Sequence, residues 1–288
     1  MSSKAILIFF LAISTKWANG SIVNKVIYGT DDRSDLYQNS DQLLNRLALS
    51  SAALIPNELL IQKGQNFLLT GKTLRETGVC AKERFASQLT SADCSGFLIG
   101  ADILATAGHC VQELNDCKIN YWVFDYANIT KEQSSFSFSK DQIYHCTEIL
   151  AHSFGAQDKS DFSIVKLDRP VTNRAPLLYR TNGKLTNEDI LAVIGHPSGV
   201  PTKITTPVEI RDNSNTIYFT TDSDTFTGNS GGAVINIKSG LVEGILIRGD
   251  IDYVQFQGES CRVTKVNAAN SGRGEDVMRI NSIPYLRK

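Results

Sequence analysis

Asp224-Thr225-Phe226-Thr227-Gly228-Asn229-Ser230-Gly231-Gly232 sets a serine among small, flexible residues. Glycines 228 and 231 carry no side chain, so the backbone can turn sharply there and a substrate carbonyl can approach closely. In such a turn the N–H groups of Gly228 and Ser230 can converge on one point and stabilise a developing oxyanion. Gly/Ser-rich turns are common, and most are only turns. The meaning of this stretch therefore depends on whether the rest of the chain supplies a base, an orienter for that base and a scaffold.

The chain has 288 residues, enough for one large domain or two of ordinary size with a substantial core. Charged residues make up 20% and nearly cancel at net −1, which gives no ground for a nucleic-acid partner. Glycines number 21, helix-period stretches are few, and short β-branched or aromatic runs recur, a mainly β texture. Strands are predicted at 97–99, 103–106, 121–124, 149–150 and 162–167, and again at 190–194, 216–221, 233–237 and 242–247. Two such groups, joined near residues 168–176, predict an all-β fold of two antiparallel β-barrels packed together.

The first twenty residues read as a signal peptide, with Lys4, an apolar run from Ala5 to Ser14 and small residues at Ala18-Asn19-Gly20. That run is too short to cross a bilayer, so secretion without stable membrane association is expected. The six cysteines (80, 94, 110, 117, 146 and 261) suit an oxidising compartment. They form no C-x-x-C pair and the four histidines lack zinc-finger spacing, so disulfides are expected, with no metal and no cofactor. Residues 21–76 have a different texture, with a polar cluster at Asp31–Asp35 and leucines at loosely helical spacing from Leu36 to Leu54. They read as a pro-segment, an ordered extension or the start of the core.

A neutral serine hydroxyl needs a base. His109, in Thr106-Ala107-Gly108-His109-Cys110, follows a predicted strand and adjoins a cysteine. A Cys94–Cys110 bridge would staple both ends of that hairpin. The base in turn needs a carboxylate to fix its tautomer. Asp161 heads the predicted strand Phe162 to Leu167, and Asp158 and Asp168 are rivals.

Thr106–Cys110, Asp161–Leu167 and Gly228–Gly232 together resemble the three signature blocks of trypsin-like (chymotrypsin-fold) serine peptidases, in that family's His, Asp, Ser order. The resemblance covers roughly residues 77–285. It implies that His109 is general base and acid, Asp161 its orienter and Ser230 the nucleophile, with Gly228 and Ser230 as oxyanion-hole donors. It also implies a cleft site between the barrels, a first barrel over about 77–170 and a second over about 171–288. Cys94–Cys110 is similar to the family's staple around the histidine. The other four cysteines allow three pairings, of which Cys117–Cys146 with Cys80–Cys261 is preferred. The implied protein is a secreted, monomeric serine endopeptidase acting on proteins or peptides through an acyl-enzyme. The alternative is an inactive relative kept as a binding protein.

Val26–Arg33 and Gly195-His196-Pro197 resemble segments of the bacterial, glutamyl-endopeptidase-like branch, which implies that His196 is a structural turn residue. Two departures and one match matter. Asn229 stands where animal relatives keep the aspartate that receives a freed amino terminus. Leu246 matches the position where glutamyl endopeptidases hold acidic side chains with a histidine, so acidic specificity is not expected. Asp224 matches the acid that receives Lys or Arg in trypsins, so the expected substrate pocket comprises Asp224, Thr225, Leu246, Arg248 and Gly249. Lys25-Val26 is the expected cut if a pro-segment is removed.

Overall fold

The computed structural model describes residues 25–131, 133–155, 159–255, 257–269 and 271–287, with the side chains of Lys25 and Val26 outside that description. The signal-peptide reading therefore lies outside the described residues. Two antiparallel sheets carry the fold. The first has seven strands, in the order 143–144, 120–124, 51–56, 94–98, 103–106, 161–167 and 146–154. The second has eight, in the order 210–212, 218–221, 275–279, 242–248, 233–236, 191–195, 203–208 and 33–35. Helix is confined to short pieces, chiefly Gln42–Ala48 and Leu114–Ile119. This is the all-β, chymotrypsin-like pair of half-barrels.

The strands form where the sequence alternates or runs apolar. Asp161–Leu167 buries six of its seven residues and is flanked by Ile103–Thr106 and Cys146–Phe154. Leu191–Gly195 is wholly buried between Lys203–Val208 and Ala233–Asn236. One core cluster draws on both sheets, from Phe97, Leu104 and Trp122 to Ile194, Ile235 and Ile245. Area removed from water on this scale is the main stabilising term of such a fold.

The expected boundary at residue 77 does not follow the packing. Ser51–Pro56 lies inside the first sheet, between Asn120–Phe124 and Cys94–Leu98. The leucine spacing from 36 to 54 mixes a real helix, capped by Asp41 through the N–H groups of Leu43 and Leu44, with this buried strand. Lys25–Tyr28 pairs in parallel with Val266–Asn267, and Arg33–Asp35 adds an edge strand to the second sheet. Residues 25–76 are thus built into both halves. The six cysteines pair as Cys80–Cys261, Cys94–Cys110 and Cys117–Cys146.

Candidate active site

His109 sits in the one-turn segment Gly108–Cys110 that follows Ile103–Thr106. A Cβ at residue 108 would collide with the Ser153 carbonyl and the backbone of Phe162, so glycine lets the turn press against both neighbouring strands. The Cys94–Cys110 disulfide fixes its far end. Asp161, fully buried at the head of its strand, accepts the His109 backbone N–H at 3.1 Å. Its two oxygens lie 3.2 and 3.0 Å from His109 Nδ1. A carboxylate at Nδ1 holds the proton there and leaves Nε2 as the basic nitrogen. Asp168 instead pairs with Arg169 at the surface, and Asp158 lies outside the described residues.

The serine turn is held from both sheets. Ser95 of the first sheet donates its N–H to the Ser230 carbonyl at 2.7 Å, and its hydroxyl donates to the Gly228 carbonyl at 2.8 Å. From the second sheet, Leu246 accepts the Gly231 N–H at 2.7 Å. Gly228 and Gly231 have φ of 95° and 87°, left-handed values that disfavour any other residue. Among the described residues the N–H groups of Gly228 and Ser230 bond to no protein acceptor.

His196 is buried, with ring nitrogens 3.2 Å from the Ser95 hydroxyl and 3.0 Å from that of Thr202. Burial, helped by Lys203, pushes its pKa down to about 3, so it is a neutral packing group beside the turn.

His109 and Ser230 line one cavity of about 280 Å³, together with Thr225, Leu246, Arg248 and Gly249. Asp224 is not part of it, which corrects the expected pocket. Its carboxylate is turned the other way and accepts the backbone N–H groups of Tyr28 and Asp32, each at 2.8 Å. Burial lifts it to about 7 against those bonds.

Glu275, an acid that does line the cavity, is one the sequence reading missed. Its carboxylate accepts the Thr225 hydroxyl at 2.7 Å and the Tyr28 hydroxyl at 3.3 Å. Any Cβ at Gly249 would strike it, so the bare glycine is what admits the carboxylate. Burial pushes its pKa up to about 8, opposed by Thr225 and by the Asp250 N–H. Asp250 and Asp252 share the same rim. Arg248, the cavity's cation, is engaged by the Lys159 carbonyl at 2.6 Å and lies 3.8 Å from Asp276.

Residues 94–245, just over half of the chain, match the trypsin-like peptidase domain, and the chain belongs to that family. A probable periplasmic serine protease do/HhoA-like of Haemophilus influenzae is 28% identical over 109 residues, covering 35% of this chain and 23% of that protein. Among solved structures, the VesB protease of Vibrio cholerae superposes with a TM-score of 0.51 at 13% identity, over 87% of this chain and 64% of that one. Human heparin binding protein gives 0.50 at 14% identity, over 82% and 88%. At such identities these two show the fold alone.

Proposed function

We propose that this chain is an exported serine endopeptidase with His109, Asp161 and Ser230 as its triad. The observation that carries the reading is the buried Asp161 holding His109 through Nδ1 while His109 and Ser230 line one cavity. His109 Nε2 takes the Ser230 hydroxyl proton as Oγ attacks the scissile carbonyl, whose oxygen gathers charge at the N–H groups of Gly228 and Ser230. The imidazolium then gives that proton to the departing amine, leaving an acyl-serine. Water, deprotonated in its turn by His109, releases the acid and restores the serine.

The cavity favours a basic side chain on the acyl side of the cut bond, since the Glu275 carboxylate faces it, while Asp250 is paired with Lys265, Asp252 holds the Thr227 N–H and Arg248 is engaged by the Lys159 carbonyl. Glu275 in its ionised form would repel an acidic side chain. Kinship with the glutamyl-endopeptidase-like branch thus rests on Val26–Arg33 and Gly195–Pro197, without that branch's specificity. Export is supported by the apolar leader and the three disulfides.

The test is direct. The purified protein should hydrolyse arginyl peptides and be labelled once by a serine-directed fluorophosphonate. Ser230→Ala should abolish labelling and lower turnover by about 10⁶. Asp161→Asn should lower it by about 10⁴, through the wrong imidazole tautomer. Hydrolysis surviving in the Ser230→Ala protein would refute the assignment.

A further inference from the structure

Asp224 and Tyr28 are buried and Asp32 is half-buried, and the bonds between them join segments more than 190 residues apart. Both oxygens of the Asp224 carboxylate are taken, one by each amide. Tyr28 goes further. While its N–H grips Asp224, its hydroxyl accepts the Gly274 N–H at 3.0 Å and donates to Glu275 at 3.3 Å. A single residue therefore ties the segment that leads into the serine turn to the strand that carries the cavity's acid. Arg33 completes the contact, with its guanidinium 4.0 Å over the ring of Phe226, another cavity residue.

The same region explains how the turn is held without a charged partner at residue 229. Asn229 is buried, its amide oxygen has no partner among the described residues, and the Gly195 backbone closes over it. A new amino terminus docked there would meet only a neutral amide, and a buried unpaired ammonium is strongly disfavoured. The amides of Tyr28 and Asp32 are internal peptide groups that need no cleavage to form.

Resting on the peptidase reading above, we propose that residues 28–33 are a permanent clasp in which Asp224 is a positioning residue. Through Tyr28 and Asp32 it sets the serine turn and Glu275, in place of a docked amino terminus. Removal of anything up to residue 25 leaves the clasp whole. The amino-terminal segment is a working part of the active protein, not an inhibitory one.

The experiment uses the exported chain beginning at Val26, a second beginning with one extra alanine before Val26, and the variants Asp224→Asn and Tyr28→Phe. The extra alanine should change kcat/KM on an arginyl peptide by less than about two-fold. Asp224→Asn should lower it about 10- to 100-fold, the scale of a small misplacement of catalytic groups. Tyr28→Phe keeps the amide bond but removes one of the donors that hold Glu275, so KM should rise for arginyl substrates and stay level for phenylalanyl ones. Hydrogen exchange provides a readout independent of activity, since the amides of 225–231 should exchange faster in Asp224→Asn while those of 161–167 do not. A folded Asp224→Asn protein with full activity and unchanged exchange would overturn the clasp. So would loss of activity on adding the alanine. If the Val26 chain itself hydrolyses nothing, the peptidase reading fails while the exchange result still decides the clasp.

Discussion

Glu275→Gln is the perturbation that most sharply separates this cavity from a generic one. Burial pushes the Glu275 carboxyl up to about 8. At pH 7 that leaves the carboxylate ionised in about one molecule in ten, and at pH 9 in about nine of ten, one unit being 1.36 kcal/mol. A substrate cation that needs the ionised form is therefore recognised about ten-fold better at pH 9 than at pH 7. Any effect of pH that is common to both substrates cancels in a ratio. The assay is kcat/KM for matched arginyl and phenylalanyl peptides across pH 6–9.5. Their ratio should climb about ten-fold in the native protein and stay flat in Glu275→Gln. The variant should also lose about 10- to 150-fold of its arginyl preference, as expected for a charge-assisted bond of about 1.5–3 kcal/mol. A flat ratio in the native protein, or an unchanged preference in the variant, would refute the role given to this carboxylate.

Gly231→Ala should abolish activity with the protein destabilised by several kcal/mol, because its Cβ would overlap the Ser95 carbonyl and the Thr106 hydroxyl at a left-handed φ; a fully active, equally stable protein by thermal melting would contradict the packing of the turn. Stability should fall as pH rises from about 6.5 to 8. Glu275 and Asp224 have raised folded pKa values of about 8 and about 7, so their contribution is complete below the unfolded carboxylate range and lost through those values. His196 has the opposite sign, its contribution being present above about 6.5 and lost as pH falls toward about 3, so it is constant in this window. Melting curves of Glu275→Gln should show a shallower slope there than those of the native protein, and identical slopes would reject the assignment.

The proposed triad is readable in the sequence because each member sits in a short local pattern. His109 follows a strand and adjoins a bridging cysteine, Asp161 heads a strand with six buried residues, and Ser230 lies between two glycines of positive φ. The amino-terminal boundary was not legible for a physical reason. Ser51–Ile55 is buried on both faces of its sheet, so it shows no alternation, and a short continuous apolar run does not distinguish strand from helix. Glu275 was hidden for a different reason. Its partners Thr225 and Tyr28 lie 50 and 247 residues away, and nothing in Gly274-Glu275-Asp276 announces which of two adjacent acids faces the cavity.

Asp224 and Glu275, two acids close to the serine turn, divide the work in a way that follows from their bonding. Asp224 stands at the sequence position that suggests cation recognition, but it is buried and both its oxygens already accept peptide N–H groups. A carboxylate so committed would have to give up a bond, and part the amino-terminal segment from the second sheet, before it could receive a substrate. Glu275 is equally buried within the protein but faces the cavity through the gap that Gly249 leaves, and its bonds come from two hydroxyls and one long amide contact. A guanidinium or ammonium arriving there can add to those bonds without displacing the chain. Tyr28 stands between the acids, with its amide on one and its hydroxyl on the other. On the proposed reading, that single residue makes Asp224 an anchor and leaves Glu275 as the recognition group.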